Sequence, residues 1–271
     1  MKRFSILISL FLITLTSSVF AFNEPINIKY NDGIYHIIMD GNKVGKKIKF
    51  VTGESLMTNK EAHQKGRSLL TINTGFFDPK NQKTISYIVT DRNTAADPLF
   101  NENLLMNSVL RQNIDKIINR TEFRVVECDS KIHYEIVPHK TAVDFACNIE
   151  TSAQGGPMIL PELKLEEEFF ILKKDGKIIR ESASVLEKTA RTVIGLKNTP
   201  KGEEIHILII TDKSPKTIYE VKELCEKLKL DKAMGFDGGS STSLNYKDSI
   251  EVVSTPDAGG RMLKSFMIYQ N

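Results

Sequence analysis

The chain has 271 residues, with 37 Lys and Arg against 34 Asp and Glu, so its formal net charge is +3 at pH 7. This near balance, without a basic stripe, argues against nucleic-acid binding, which usually needs a concentrated positive surface. A chain of this length can bury a substantial core and fits one large domain better than two small ones. We therefore expect a single domain over residues 22–271.

The N-terminus predicts an export signal. Two cations at positions 2–3 precede an apolar stretch over 4–15, and small and polar residues then lead to Ala21. This is the layout of a secretory signal peptide, and the apolar stretch is too short to span a bilayer. We expect residues 1–21 to be cleaved and the mature protein to be secreted or periplasmic, without stable membrane insertion. An uncleaved N-terminal anchor is the alternative.

The chain has three cysteines, Cys128, Cys147 and Cys225. In an oxidising compartment two of them could pair, and Cys128 with Cys147 is the favoured combination. We expect Cys225 to be packed on the apolar side of a helix. The cysteine spacing matches no zinc site.

Strand-like segments dominate the first half of the chain. Residues 26–51 carry β-favouring runs broken by turn residues and predict hairpins at the start of a sheet. An apolar strand over 69–72 runs into Asn73. Residues 104–120 place apolar side chains at helical spacing and predict one amphipathic helix. Residues 79–140 hold no recognisable chemistry, and we interpret them as a variable insertion.

A strand, a helix and a strand follow one another near the C-terminus. Residues 190–196 and 204–212 predict two strands, and Ser214-Pro215 then opens a helix with a cap residue followed by proline. A short strand over 233–236 comes next. The predicted fold class is α+β, a mixed and mostly antiparallel sheet with a few helices and one strand-helix-strand crossover. Glu166-Glu167-Glu168 predicts a solvated face.

Glycines and short polar residues gather where the predicted strands begin or end. Loops at the ends of a rigid sheet usually carry binding groups, and glycines let a ligand approach the backbone and aim amides at an anion. The pattern indicates a sugar or phosphate ligand. P-loop, nucleophile-elbow and zinc motifs are absent from the sequence. The candidate residues are Asn73, Gly75, Gly155, Gly156, Arg191, Thr192, Asp237, Gly238, Gly239, Ser240 and Ser241.

These stretches resemble the successive blocks of the phosphodiester glycosidase domain family. The blocks occur in order as Asn73–Phe77, Gly155–Pro157, Ala190–Gly195 and Phe236–Thr242. A last block is similar to Gly259-Gly260-Arg261. The chain departs from the usual pattern at Thr74 and Ser240, where glycines are common, and in the residues 262–265 that follow Arg261.

The resemblance implies hydrolysis of a sugar 1-phosphodiester or glycopolymer at the glycosidic bond, with no cofactor required and a divalent ion left open. Asp237 would be the catalytic carboxylate, as nucleophile or as base for water, with Asp212 preferred over Asp78 as a second acid. Arg191 would clamp the phosphate with its planar donor fork, unless it forms an ion pair instead.

The remaining candidates would bind substrate. Asn73 would hold sugar or phosphate oxygens, or an Asx turn. Glycine amides would line the pocket together with Thr192, Ser240, Ser241 and Arg261. Two other functions stay open: a non-catalytic carbohydrate- or anion-binding envelope protein, and a hydrolase that attacks the P–O bond, for which clustered metal ligands are missing.

Overall fold

The structure is a computed structural model that describes residues 24–255 and 260–270. The predicted signal peptide over 1–21 lies outside these residues. In the part of the chain that is described, none of the helices has the length and apolar character needed to cross a bilayer.

Short strands make up most of the secondary structure. The strands are β1 (Ile26–Asn31), β2 (Ile34–Asp40), β3 (Ile48–Met57), β4 (Leu70–Asn73), β5 (Ile88–Thr90), β6 (Asn93–Ala96), β7 (Thr121–Cys128), β8 (Lys131–Pro138), β9 (Cys147–Gln154), β10 (Met158–Leu160), β11 (Ile171–Lys174), β12 (Lys177–Glu181), β13 (Arg191–Thr199), β14 (Gly202–Ile210), β15 (Lys232–Gly235), β16 (Ser243–Tyr246), β17 (Ile250–Val253) and β18 (Leu263–Tyr269). The helices are α1 (Gly41–Val44), α2 (Asn59–Gly66), α3 (Glu102–Met106), α4 (Ser108–Gln112), α5 (Ile114–Ile118) and α6 (Ile218–Lys227). Gly45–Lys47, Pro98–Phe100 and Gly239–Ser241 form 3-10 turns.

Three sheets form the body of the protein, and β11 and β12 make a separate hairpin. The six-stranded sheet has the order β1-β2-β14-β13-β15-β10, and the five-stranded sheets have the orders β17-β16-β4-β18-β3 and β6-β5-β9-β7-β8. The pairings are antiparallel, which confirms the predicted α+β, mostly antiparallel class. The connection through α6 joins β14 to β15, which run in the same direction on either side of β13.

The main core lies between the inner faces of the three sheets. Because side chains alternate along a strand, β14 sends Ile205, Ile207 and Ile209 into this core. Its neighbours Leu208 and Ile210 point the other way and pack with α6 in a second cluster. The six-stranded sheet is therefore packed on both faces.

The long helix predicted over 104–120 is wrong. Three helices, α3, α4 and α5, occupy this region, separated at Asn107 and Asn113. The Asn107 side chain accepts hydrogen bonds from the amides of Val109 and Leu110, and this capping competes with a continuous helix. The apolar face survives, because Leu110 and Ile114 still pack against one cluster.

The start of α6 also differs from the prediction at Ser214-Pro215. Thr217 is the N-cap: its hydroxyl accepts from the Glu220 amide at 3.2 Å, and the Glu220 carboxylate accepts from the Thr217 amide at 2.8 Å. This reciprocal capping box satisfies two otherwise unpaired amides, which a proline start does not.

Residues 79–140 supply the strands β5–β8, which complete a sheet with β9. Whether this segment varies among relatives stays a prediction. Cys128 on β7 and Cys147 on β9 are register partners and form a disulfide, as the sequence favoured. Cys225 is buried on α6, and burial raises the pKa of its thiol to about 12, so it is an inert packing residue.

Candidate active site

Asn73, the last residue of β4, links the sheet β17-β16-β4-β18-β3 to the six-stranded sheet at one edge. Its Oδ1 accepts from the Thr192 hydroxyl at 2.7 Å and from the Ser243 amide at 3.0 Å. Its Nδ2 donates to the backbone carbonyl of Asp237 at 2.6 Å. The buried side chain of Asn73 therefore connects three of the predicted blocks by hydrogen bonds.

Asp237 follows β15 at this junction. Its amide donates to the carbonyl of Thr74 at 2.9 Å, and the preceding Phe236 amide donates to the carbonyl of Thr192 at 2.8 Å. Phe236 itself is part of the main core. The backbone of the acid is thus fixed from both sides, and the residue as a whole is half-buried.

The environment of the Asp237 carboxyl group makes ionisation harder than usual. Burial raises its pKa to about 6, and the Ser241 hydroxyl, the charge of Arg261 and the Gly238 amide act in the opposite direction. The Ser241 oxygen is buried and reaches no partner at standard hydrogen-bond geometry among the described residues. A carboxyl whose pKa is raised by burial beside a cation is typical of a functional group.

Arg261 supplies the positive charge beside this acid. Its Nη1 donates to the Ser240 hydroxyl at 2.6 Å, and its guanidinium lies over the Phe77 ring, 5.4 Å from the ring centroid. Arg261 is partly exposed, so its planar donor fork can still reach an anion. Gly259 of the same block lies outside the described residues.

Arg191 is engaged differently from the expectation. Its guanidinium is buried, with 6% of the residue exposed, and it donates only to backbone carbonyls rather than to a carboxylate. Burial lowers its pKa to about 10. Because its fork is already occupied, we leave Arg191 out of the proposed phosphate ligands. The accepting carbonyls belong to Lys216, Ala183, Ser184, Val185 and Glu187.

Most of the glycine amides expected in the pocket also have protein partners. The Gly75 amide donates to the Ser265 hydroxyl at 3.0 Å. The amides of Gly155, Gly156 and Gly239 donate to carbonyls at 2.9, 2.8 and 2.8 Å. Gly155, Gly156 and Gly239 therefore close the junction of the strand ends. Gly238 is the remaining candidate, and its amide faces Asp237.

Gly155 and Gly156 are required by close packing. A Cβ at Gly155 would lie 2.6 Å from the carbonyl oxygen of Gly235, and one at Gly156 would lie 2.2 Å from Oε2 of Glu168. Gly156 also has a φ of 99°, which other residues rarely adopt.

Glu168 is a residue that the sequence reasoning missed. The prediction of a solvated face over 166–168 is wrong for Glu168, of which 4% is exposed. Its carboxylate accepts from the Thr121 hydroxyl at 2.7 Å and the Met158 amide at 3.0 Å, which holds the Gly155-Gly156 block in place. Burial raises its pKa. The apolar pair Phe169-Phe170, which follows Glu168 directly, is the sequence feature that indicates burial of this segment.

The two acids proposed as partners of Asp237 have other surroundings. Asp78 caps a turn, with its side chain accepting from the Lys80 amide at 2.8 Å and from Asn103 at 2.9 Å. Asp212 follows β14 and lines a separate surface groove. One strand, β13, lies between β14 and β15, so about 10 Å separates the two strand ends that carry Asp212 and Asp237.

No cluster of three or more His, Cys, Asp or Glu side chains suited to a metal ion occurs within residues 24–255 and 260–270.

Known proteins with this fold include a characterised enzyme. The catalytic domain of zebrafish N-acetylglucosamine-1-phosphodiester alpha-N-acetylglucosaminidase, auto-inhibited by its pro-peptide, is similar with a TM-score of 0.63 and 14% identity over 91% of this chain and 81% of that one. A protein of Burkholderia pseudomallei described as a candidate exported protein matches with a TM-score of 0.63 and 11% identity, over 88% of this chain and 74% of that one. A hypothetical protein from Synechocystis matches with a TM-score of 0.56 and 11% identity, over 90% of this chain and 61% of that one.

These identities show a shared fold. No curated protein sequence matches the chain. The sequence model of the phosphodiester glycosidase family, however, matches residues 67–268, a range that contains Asn73, Asp237 and Arg261. The resemblance noted in the sequence is thereby confirmed, and the chain belongs to the phosphodiester glycosidase family.

Proposed function

We propose that this chain is an exported hydrolase that cleaves the glycosidic bond of a sugar 1-phosphodiester and releases a free sugar and a phosphomonoester. The observation that carries the proposal is the carboxyl group of the half-buried Asp237 at a strand end, with a pKa raised to about 6 and the Arg261 cation beside it. Family membership supports the reaction class.

Hydrolysis of a sugar 1-phosphodiester requires charge stabilisation more than acid catalysis. A phosphate is a good leaving group, so the C–O bond can break without a strong proton donor, while the developing positive charge at C1 must be stabilised. The ionised Asp237 carboxylate can stabilise this positive charge. It can then either attack C1 or take a proton from the attacking water. Both roles require the deprotonated carboxylate.

Arg261 is the phosphate ligand in this proposal. Its guanidinium can present paired N–H donors to two phosphate oxygens, and its stacking on Phe77 restricts where the fork points. The Ser240 hydroxyl, now bonded to Arg261, is placed to share the same anion. Asn73 and Thr74 are positioning residues, because they act on the backbone of Asp237.

Export is proposed on two independent grounds. The N-terminal sequence has the layout of a signal peptide, and the disulfide between Cys128 and Cys147 is typical of an oxidising compartment. Fractionation of cells that express the full chain, with the N-terminal residue of the product determined, tests this part: a product that begins near residue 22 outside the cytoplasm is expected.

The reaction itself is tested with the purified exported protein and a set of α- and β-linked sugar 1-phosphodiesters in water labelled with heavy oxygen. Release of reducing sugar with the label in the sugar is expected. Label in the phosphate would show P–O cleavage and overturn the assignment. Binding of a phosphodiester without release, by both wild type and Asp237→Asn, would support the non-catalytic alternative instead.

A further inference from the structure

Several strand ends of the six-stranded sheet lie along one edge beside Asp237. Adjacent antiparallel strands place the end of β15, the start of β13, the end of β14 and the start of β2 at this edge. With strands about 4.8 Å apart, the end of β14 that leads to Asp212 is about 10 Å from the end of β15 that leads to Asp237, and the start of β2 near Tyr35 is about 14 Å away. The edge therefore continues from the acid toward the β1–β2 hairpin.

A groove of about 410 Å³ lies at the far end of this edge. Tyr30 and Tyr35 are direct register partners in the hairpin, and their rings are 4.7 Å apart and tilted by 46°. Tyr30 is 52% exposed although Tyr35 beside it packs against the main core. Strand β17, at the edge of the sheet β17-β16-β4-β18-β3, contributes Val252 and Val253 to the lining. The groove is thus lined by two tyrosines of one sheet and by the edge strand of another.

The polar groups in the groove have nearly balanced charge. Asp212 and Lys213 are among its lining residues, and Glu251 is paired with Lys60 at 3.1 Å. The Ser254 hydroxyl, also in the lining, is buried without a hydrogen-bond partner among the described residues. Such a mixture of aromatic surface, acceptors and hydroxyls suits an uncharged polyhydroxyl ligand better than a second phosphate.

The groove is physically joined to the segment that follows the acid. The Ser254 amide donates to the carbonyl of Thr242 at 3.1 Å, and the Thr242 amide donates in turn to the carbonyl of Gly239 at 3.0 Å. The lining residue Ser254 is therefore hydrogen-bonded to the turn that carries Ser240 and Ser241.

We propose that this groove is a subsite for a second, uncharged sugar ring of the substrate, with Tyr30 as its stacking platform and Asp212 as a hydrogen-bond acceptor for its hydroxyl groups. The inference rests on the proposed function, since it makes the substrate a saccharide 1-phosphodiester longer than one sugar. Asp212 is then a specificity residue in place of a second catalytic acid.

Binding is tested separately from turnover. The Asp237→Asn protein is titrated with cellobiose, maltose and N,N′-diacetylchitobiose, followed by saturation-transfer NMR and by tyrosine fluorescence, which is readable because the chain has no Trp. At least one disaccharide is expected to bind, and Tyr30→Ala in the same background to weaken it by about tenfold. Tyr219→Ala is the matched control, because Tyr219 is 51% exposed on α6. If no disaccharide binds, or both tyrosine variants weaken binding equally, the subsite is wrong.

Turnover supplies the second arm. Wild type, Tyr30→Ala and Asp212→Asn are compared on a monosaccharide and a disaccharide 1-phosphodiester. Each variant is expected to lower kcat/KM on the disaccharide compound about tenfold more than on the monosaccharide compound. Equal losses of several orders of magnitude on both compounds for Asp212→Asn would identify it as a catalytic acid and overturn the subsite. Saccharide binding without any phosphodiester turnover would leave the groove in place and remove the hydrolase.

Discussion

The side-chain amide of Asn73 donates to the backbone carbonyl of Asp237 at 2.6 Å, across 164 positions of sequence. The bond crosses from the strand system of β4 to that of β15, so the position of the acid depends on two sheets at once. The oxygen of the same amide group accepts from Thr192 and Ser243. Asn73 consequently sets where the carboxyl group points without having to contact substrate.

Asn73→Ala should lower both stability and activity. The substitution leaves the Thr192 hydroxyl, the Ser243 amide and the Asp237 carbonyl without their buried partner, at a cost of about 2–4 kcal/mol in the free energy of unfolding. We expect kcat to fall at least about tenfold at a temperature where the variant is folded. Denaturant unfolding and steady-state kinetics measure the two effects.

Asn101→Ala is the control for this experiment. Asn101 is fully buried and its Nδ2 donates to the carbonyl of Thr84 at 3.1 Å, so it should lose comparable stability. Its kcat should stay near that of wild type. A parallel loss of kcat in both variants would mean that Asn73 acts through general stability alone.

Asp237→Asn should reduce kcat on a sugar 1-phosphodiester by a factor of about a thousand or more, because the amide can neither attack C1 nor accept a proton. Circular dichroism should show an intact fold. Turnover within tenfold of wild type would remove Asp237 from the catalytic role.

The same variant should be more stable than wild type at neutral pH. The folded-state pKa of Asp237 is about 6, above its ordinary value of 3.8, so the folded protein binds this proton more tightly than the unfolded chain. Stability from this group is present at low pH and is lost as pH rises toward 6. Asp237→Asn removes a penalty of at most about 3 kcal/mol, reduced by the partial exposure of the residue.

Thermal unfolding at pH 4 and pH 8 checks this prediction. The gain in Tm of Asp237→Asn over wild type should be larger at pH 8. An equal difference at both values would indicate that the ionised carboxylate is not destabilising in the fold.

The pH dependence of kcat/KM should follow the same titration of Asp237. Since both roles of Asp237 need the carboxylate, kcat/KM should rise as pH increases through about 6 and then level off. Arg261 lowers the pKa of Asp237, so Arg261→Gln should move this ascending limb to higher pH. If the ascending limb does not move, the charge of Arg261 does not act on the pKa of Asp237.

The two arginines should separate into a ligand and a structural residue. Arg261→Lys should raise KM for the phosphodiester with little change in stability, because a lysine cannot reproduce the bidentate fork at a partly exposed position. Arg191→Lys should instead destabilise the fold by several kcal/mol, because several buried carbonyls lose their donor.

KM and Tm, measured together for both variants, distinguish a ligand arginine from a structural one. If Arg191→Lys changes KM while its Tm matches wild type, the phosphate ligand is Arg191 after all, and its carbonyl contacts give way when substrate binds.

Local patterns were enough to predict several elements of this protein. The turn residues of β1–β2 predict a hairpin, the apolar runs of β13 and β14 predict strands, and Cys128–Cys147 is the pair that the sequence favours; the structure has all three. Helical spacing over 104–120 was detected correctly as an apolar face but not as three helices. Asparagine caps are short-range hydrogen bonds that periodicity does not register.

Residue types in fixed local order are sufficient to indicate the family, the strand-rich class and Asp237 as the acid to test. The role of each polar group depends instead on which distant segments it meets after folding. The sequence favours Arg191 as the phosphate ligand, yet Arg191 is surrounded by carbonyls, and Arg261 is the arginine that lies beside the acid. Donors and acceptors are assigned by contacts between distant segments, and burial of Asp237, which raises its pKa, exists only once those segments have packed together.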